Sequence, residues 1–296
     1  VETVTGTAAQ LVTLINNEGN AGDKVNLDGD FAVTITDNPT DAQLEIIDAA
    51  TTGTITVGGG GVTVTDKSVT ASYLNTLDEN TTETVNASAV TMITGTASDI
   101  KTVYASSGIS GLGDEEIYLS DGSAAAADLN TINAATTGLI TATAVSTVSG
   151  AASDLVILAS DEGTSGDKVD LKADVLVTVD DGTTTAAQLN TINSMTTGLV
   201  TATAVSTVSG AVSDLTTLVG NEGTSGNKVD LAPGVTLTIT DTGTVDAADL
   251  NTIDAATTGL VTATGVAAIN GTASAITTLI GNEGTSGDKV ALDTDF

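Results

Sequence analysis

Residues 197–257 decide the architecture of this chain: TGLVTATAVSTVSGAVSDLTTLVGNEGTSGNKVDLAPGVTLTITDTGTVDAADLNTIDAAT. The same pattern starts upstream at Thr137 and again at Thr258, so the copies are offset by 60 and 61 residues. Self-similarity at a fixed period is typical of stacked repeat proteins. We therefore expect an array in which each repeat buries a narrow apolar strip against its neighbours.

Each repeat contains two halves, and each half reads as an alternating strand followed by a short amphipathic helix. The helices are marked by apolar pairs three residues apart, the spacing of one helix face. A first type carries the pairs Leu11/Leu14, Ile100/Val103, Leu155/Leu158, Leu215/Leu218 and Ile276/Leu279. A second type carries Leu44/Ile47, Leu74/Leu77, Leu129/Ile132, Leu189/Ile192 and Leu250/Ile253. The pattern predicts ten helices, with a first-type helix missing between Leu44 and Leu74.

The helix ends carry their own signals. Capping boxes, in which the residue three positions on reaches back to the cap, are predicted at Thr7, Thr40, Thr96, Thr185 and Asp246. Glycines mark the ends of the helices: Gly19, Gly163, Gly223 and Gly284 after the first type, and Gly53, Gly138, Gly198 and Gly259 after the second.

Strands are predicted between the helices because apolar residues alternate with threonine, as in Val33 and Ile35 beside Thr34 and Thr36. The short segments Lys168–Leu171 and Lys228–Leu231 are expected to add further strands. The predicted fold is an α/β repeat solenoid of short strands and short amphipathic helices, with about 60 residues in each double repeat. Residues 1–296 would form a single elongated array, with irregular register at 58–84 and 108–122.

Composition excludes several classes of function. The net charge is −31, from 38 acidic residues against 7 basic ones, which argues against nucleic acid or an anionic membrane as a partner. Cysteine and histidine are both absent, so disulfides, zinc sites and imidazole or thiol catalysis are not available in this segment. No apolar run approaches the roughly 20 residues that span a bilayer, so no transmembrane segment is expected.

The two ends of the chain resemble each other. Val1–Phe31 aligns without gaps with Val266–Phe296, and both ends fall at equivalent points inside a repeat. Terminal repeats usually carry a distinct polar cap, and these do not. The sequence is therefore expected to be a piece of a longer chain.

An acidic, glycine-rich loop follows the first-type helices and holds four of the seven lysines, Lys24, Lys168, Lys228 and Lys289. One interpretation is a set of calcium loops, since hard cations take carboxylate and carbonyl oxygens from such turns. The other is a glycine turn in which the lysine offsets local negative charge. The candidate ligands are Glu18, Asp23, Glu162, Asp167, Glu222, Glu283 and Asp288.

Three further patterns have two interpretations each. Asp37, Asp66, Asp121, Asp180 and Asp241 end strands, where aspartate usually bonds the backbone of a turn, although a stacked column could attract cations. Thr-x-Thr strands, as at Thr201 and Thr203, fit ordinary strand propensity or an ice-binding surface. The irregular stretch Gly108–Gly122 groups Asp114, Glu115 and Glu116 but reads as a shortened repeat, and we expect no enzymatic activity.

The segments Ala248–Val266 (ADLNTIDAATTGLVTATGV) and Asn221–Leu231 (NEGTSGNKVDL) resemble the Thr-, Ala- and Asp-rich repeats of giant exported cell-surface proteins of marine cyanobacteria and related bacteria. The resemblance implies secretion, a cell-surface or matrix location, and a structural or adhesive role. We expect an extracellular structural protein that forms a rod, filament or surface layer by repeat stacking and by end-to-end or lateral self-association. The alternative is an adhesin or virion-fibre spacer, with ice binding as a further possibility.

Overall fold

The computed structural model describes residues 3–19, 24–58 and 62–293. Within these residues the chain is a mixed α/β protein with ten helices: α1 (Ala8–Asn16), α2 (Asp41–Asp48), α3 (Ala71–Asn80), α4 (Ala97–Ala105), α5 (Ala126–Asn133), α6 (Ala152–Asp161), α7 (Ala186–Ser194), α8 (Val212–Gly220), α9 (Ala247–Asp254) and α10 (Ala273–Gly281). Each helix contains one of the ten apolar pairs. The predicted number, order and placement of the helices are confirmed.

The strands of the described residues are all short. They are β1 (Thr3–Gly6), β2 (Ala32–Ile35), β3 (Ile55–Val57), β4 (Ser68–Thr70), β5 (Val85–Asn86), β6 (Met92–Gly95), β7 (Ile109–Ser110), β8 (Glu116–Leu119), β9 (Ser123–Ala125), β10 (Ile140–Ala142), β11 (Thr147–Gly150), β12 (Val169–Leu171), β13 (Leu176–Val179), β14 (Thr183–Thr185), β15 (Val200–Ala202), β16 (Thr207–Gly210), β17 (Val229–Leu231), β18 (Thr236–Ile239), β19 (Thr244–Asp246), β20 (Val261–Ala263), β21 (Ala268–Asn270) and β22 (Val290–Leu292). The predicted strands within Lys168–Leu171 and Lys228–Leu231 are confirmed as β12 and β17.

Strand pairing is parallel. Three sheets have five strands, in the orders β12-β10-β8-β6-β4, β17-β15-β13-β11-β9 and β14-β16-β18-β20-β22. The smaller sheets are β1-β2-β3, β5-β7 and β19-β21. Two paired strands are joined along the chain by one crossover that contains a helix. For example, Val200 of β15 pairs with Val229 of β17, and α8 lies between these two strands in the sequence. We call the stretch from one strand to its next partner a coil.

The chain divides into two compact units. The first comprises Val1–Asp121, Thr131–Ala142 and Thr164–Asp170, and the second Gly122–Asn130, Thr143–Gly163 and Leu171–Phe296. Helices α1 to α4 belong to the first unit and α6 to α10 to the second. That residues 1–296 form a single array stays a prediction.

The core is made of the apolar pairs and of the inward residues of the strands. Both members of each pair are buried in α2 to α9, whereas Leu14 of α1 and Ile276 of α10 remain partly exposed. Val33 and Ile35 of β2 are buried, while Thr34 between them is not, which confirms the alternation expected from sequence. Each fully buried leucine or isoleucine stabilises the fold by about 1.5–3 kcal/mol relative to an exposed one.

Three of the five predicted capping boxes are complete, at Thr7, Thr40 and Thr185, and all three have glutamine as the partner. At Thr96 only one of the two backbone bonds is formed, from the Asp99 N–H at 3.1 Å. Asp246 instead accepts from the N–H of Ala248 at 2.8 Å, so the box predicted there is wrong. The aspartates at the partner position have side chains one methylene shorter than glutamine, which limits their reach back to the cap.

The eight glycines follow the helix ends as predicted, but none of them has a positive φ, so they are not left-handed caps. After the second-type helices their role is steric, because the backbone of the preceding coil passes directly against them. A Cβ on Gly198 would lie 2.5 Å from the Val175 carbonyl oxygen, and one on Gly259 would overlap the Val235 oxygen in the same way. Only glycine allows this close approach.

Candidate functional site

The acidic loops after the first-type helices share one backbone geometry. In the loop after α8, Val229 donates its N–H to Asn221 O at 3.0 Å, and Gly223 donates to Val229 O at 3.1 Å. The loops after α1 and α10 repeat both bonds, at Val25 and Val290. Gly226 has φ of 68°, in the region that favours glycine, and forms the turn at the tip.

In the loops after α1, α8 and α10 the lysine folds back onto its helix. The Nζ of Lys228 donates to Gly220 O at 3.2 Å, and Lys24 and Lys289 make the same contact with Asn16 O and Gly281 O. The last carbonyls of a helix lack internal donors and form the negative end of its dipole. The lysine therefore places its positive charge on the same carbonyl oxygens that a bound cation would use as ligands.

The predicted calcium ligands are all exposed or only partly buried where they are described: Glu18, Glu162, Asp167, Glu222, Glu283 and Asp288. Asp23 lies outside the described residues. Among the described residues, no group of three or more acidic side chains is arranged to hold a metal ion. Calcium binding at these loops stays a prediction, and the lysine contacts favour the alternative of a charge-balanced turn.

The structure does bring Glu222 and Asp288 to one place. Both line a cleft of about 500 Å³ in the second unit, together with Asn251, Asp254 and Asn282. Asp254 is only 4% exposed. Its Oδ2 accepts from the Asn282 side-chain amide at 2.8 Å, while its Oδ1 has no hydrogen-bond partner in the described structure. Burial raises the pKa of Asp254 above its ordinary value, because the charged form is poorly solvated there.

The sequence patterns did not identify Asp254 as a candidate site residue. It follows Ile253, the second member of a buried pair, so it lies at the margin of the buried face of α9. The corresponding residue of α7 is Asn193, which is also buried. A polar residue directly after the apolar pair is the signal that could have identified this position.

An asparagine ladder connects the helices of successive coils. Four second-type helices place an asparagine side-chain amide against a backbone oxygen of the next helix, at 2.9 to 3.1 Å: Asn75 to Asp99 O, Asn130 to Asp154 O, Asn190 to Asp214 O and Asn251 to Ala275 O. Each bond spans 24 residues of sequence. In these four pairs, the bond gives a second-type helix and the first-type helix after it a polar contact with a defined register.

Four buried threonines, which we call the threonine ladder, lie in the turns between second-type helices and the strands that follow them. The hydroxyls of Thr51, Thr136, Thr196 and Thr257 each donate to a backbone oxygen of the preceding coil and accept from the glycine N–H two residues on. For Thr196 the two distances are 2.6 Å to Val175 O and 2.9 Å from Gly198 N. Both polar functions of a buried hydroxyl are thereby satisfied.

The strand-end aspartates cap helices of the preceding coil. Asp37, Asp121, Asp181 and Asp241 accept from the first helical N–H of α1, α4, α6 and α8 at 2.5 to 2.7 Å. Asp181 takes the position that was predicted for Asp180. Helices α6 and α8 begin after Ala151 and Ala211, which have no capping side chain, so the aspartate supplies their cap from outside. A carboxylate at a helix N-terminus is stabilised by the free N–H groups and the helix dipole.

The cluster at Asp114 to Glu116 is dominated by one buried carboxylate. Glu115 is fully buried and accepts from the Tyr104 hydroxyl at 2.9 Å and from the Gly113 N–H at 2.8 Å. Burial, followed by the charge of Glu115, raises the pKa of Tyr104 above its ordinary value. These bonds close the tight loop between α4 and β8, which is a structural role.

None of the described helices has the length and apolar character required to cross a membrane. A scan of protein-family models found no match, and neither did searches of curated proteins and of solved structures.

Proposed function

We propose that this chain is an extracellular structural protein, a repeat solenoid whose function is mechanical. Successive coils would stack through their apolar strips, and copies would associate with one another into a filament or surface layer. The observation that carries the proposal is the asparagine ladder, in which the same bond across 24 residues recurs in four coils. A repeated contact of this kind would fix the register of an array.

The other two polar contacts support the same conclusion. Threonine hydroxyls and strand-end aspartates also join one coil to the next, and each recurs four times. An array tied by many similar bonds resists local opening, because no single coil can leave without breaking its neighbours' contacts. Resistance of this kind suits a load-bearing or spacing element at a cell surface.

The charge distribution fits a hydrated exterior. The net charge of −31 keeps separate chains soluble and repels them at low salt. Association of copies would therefore require screening or divalent cations that bridge carboxylates such as Glu222 and Asp288. Calcium enters the proposal in this role, as an ion between exposed acidic loops.

The strand surfaces favour an ice-binding role less than they favour a structural one. Thr178 and Thr201 are neighbours on adjacent strands, which would continue a row of hydroxyls. The next position in that row is Asp230. In another sheet, Tyr118 stands beside Thr94 and Thr141. Charged and aromatic residues interrupt the regular spacing that ordered water would need.

The first experiment is negative-stain electron microscopy of the purified chain with calcium and then with excess chelator. We expect uniform fibres or sheets in calcium that fray or shorten when the ion is removed. The double variant Glu222→Gln/Asp288→Asn should assemble poorly in calcium. Glu45→Gln, which removes an exposed charge from α2, should assemble normally.

Single particles under both conditions, at all protein concentrations, would reject self-assembly as the function. Assembly that is identical in calcium and chelator would keep the structural role and remove calcium from it. Fibres formed equally well by both variants would show that the acidic loops are not the bridging sites.

A further inference from the structure

Strand β3 has one outer edge with no strand partner among the described residues, because it ends the sheet β1-β2-β3. Its contacts with β2 use Thr54 O, which accepts from Val33 N–H, and Gly58 N–H, which donates to Ile35 O, both at 2.9 Å. Backbone groups alternate in direction along a parallel strand. The N–H and C=O groups of Ile55 and Val57 therefore point away from β2.

The equivalent edge is covered in three other places. Strands β10, β15 and β20 also follow a second-type helix, and they pair with β12, β17 and β22. In each case the first N–H of the inner strand donates at 2.9 Å to a lysine carbonyl: Ile140 to Lys168 O, Val200 to Lys228 O and Val261 to Lys289 O. The covering segments read Lys-Val-Asp-Leu or Lys-Val-Ala-Leu.

The missing first-type helix explains the bare edge of β3. The first-type helices α6, α8 and α10 are each followed by a covering strand, but α2 is followed along the chain by α3, which is of the second type. A cleft of about 390 Å³ lies beside β3, with Thr54–Gly58 on one side and Glu79–Glu83 on the other. Glu79 and Glu83 give this cleft a negative charge.

One copy of the covering segment lies against no named strand in the described structure. Lys24–Leu27 (KVNL) makes the same loop bonds as its counterparts, through Val25 and Asn17. Val25 is nevertheless 39% exposed, whereas Val229 and Val290 at the equivalent positions are fully buried by their partner strands. The segment has the sequence and these two loop hydrogen bonds of a covering strand.

We propose that the outer edge of β3 is a strand-acceptor site, and that Lys24–Leu27 of a second copy of this chain occupies it by adding a parallel strand. The main chain would supply the hydrogen bonds, and the alternating apolar residues of the added strand would supply the fit. This inference deepens the proposed function by naming a contact between copies. Its test does not require filaments to form.

The test uses the labelled peptide Gly22–Asp28 (GDKVNLD) and the intact protein, with binding followed by fluorescence anisotropy. The covering strand β17 provides the expected register: its Asp230 pairs with Thr201 of β15, whereas the N–H of its Val229 is donated to its own loop. In the peptide, Asn26 takes the position of Asp230 and Val25 takes the position of Val229. The N–H of the peptide's Asn26 should therefore face β3, and that of Val25 should face away. N-methylation at Asn26 should weaken binding by about tenfold or more, and N-methylation at Val25 should weaken it much less.

A protein variant gives an independent readout. Ile55→Pro removes the N–H that would bind the peptide while leaving the groups that face β2, and it should abolish binding. Ile55→Val keeps that N–H and should bind nearly as well as the original chain. The two N-methylated peptides decide the question if the proline variant does not fold.

Two outcomes would overturn the proposal. Binding of GDKVNLD no tighter than that of a scrambled peptide, or equal binding of both N-methylated forms, would exclude strand addition at β3. Sedimentation velocity tests the occupant: a chain that binds the peptide but stays monomeric at high concentration would exclude a second copy. Filaments seen by microscopy without peptide binding would preserve the proposed function and remove this contact from it.

Discussion

Asp181 accepts a hydrogen bond at 2.5 Å from the backbone N–H of Ala152, the first residue of a helix that begins 29 positions earlier. The cap residue of that helix, Ala151, has no polar side chain. The start of α6 is therefore stabilised by the next coil and not by its own sequence. Helix formation and coil stacking are coupled at this contact, since neither is complete without the other.

Replacing Asp181 by alanine should destabilise the second unit by about 1 kcal/mol, the usual effect of losing a helix N-cap. The measurement is urea unfolding followed by circular dichroism. Asp180→Ala is the matched control, because it removes the same charge from the neighbouring residue, whose side chain is exposed. Equal effects of the two variants would show that general charge reduction, and not the cap, accounts for the change.

The asparagine ladder predicts that substitutions at two adjacent residues, Asn190 and Thr191, change the free energy of unfolding by different amounts. Asn190→Ala leaves Asp214 O without its side-chain donor and should cost about 1 kcal/mol, the net contribution of a typical hydrogen bond. Thr191→Ala, on the exposed side of the same helix, brings a similar gain in helix propensity and removes only an exposed bond within the helix, from the Thr191 hydroxyl to Ala187 O. The free energy of unfolding of the two variants should therefore differ, and no difference would mean that the ladder is energetically neutral.

Gly198 provides the sharpest steric test. A Cβ at this position would lie 2.5 Å from Val175 O and 2.6 Å from Asp174 O, so the coils would have to separate. We expect Gly198→Ala to cost roughly 3 kcal/mol or more, in the range of severe single substitutions. Thermal unfolding should show a large drop in midpoint temperature.

Gly182→Ala is the control for that experiment, because a Cβ at Gly182 would have no atom within 4 Å and the φ of this glycine is not positive. It should be neutral or slightly stabilising, since alanine reduces the entropy of the unfolded chain. A mild effect of Gly198→Ala would contradict the close backbone approach that the turns after the second-type helices require.

Contacts along one coil could be predicted from the sequence, whereas contacts between coils could not. The pair Leu189/Ile192 marks its helix without knowledge of any neighbour, because helical periodicity is local. The choice of Asp181 over Asp180 depends on where the preceding coil lies, and no local pattern distinguishes the two. The same limit explains Gly198, whose constraint comes from the carbonyl of Val175 in the preceding coil and not from its own φ.

The acidic loops illustrate the limit for the candidate site. The recurrence of Glu and Lys at fixed spacing identified the loops, but not that Lys228 would reach back to Gly220 O. Glu222 and Asp288 come from loops of different coils, so their shared cleft depends on stacking register. Asp254 completes that cleft from a third segment, the end of a helix.

Asp254 predicts a pH dependence. Burial raises its pKa in the folded chain above the ordinary 3.8, so folding favours the neutral acid. That contribution is fully present below the unfolded pKa and is lost as the pH rises through the raised folded value. Above that raised value the group is a buried charge that costs stability, and an uncharged amide should relieve this cost.

Asp254→Asn should therefore stabilise the chain at pH 7, and the gain should shrink as the pH falls through the raised folded pKa, below which the aspartate itself is neutral. The amide suits the site, because α7 carries Asn193 at the equivalent position and an asparagine oxygen can still accept from Asn282. Urea unfolding from pH 4 to pH 8 measures the difference, and Asp230→Asn, on a partly exposed strand position, controls for the loss of one negative charge. A gain that is constant with pH, or equal in the control, would show that Asp254 is not held as a destabilised charge.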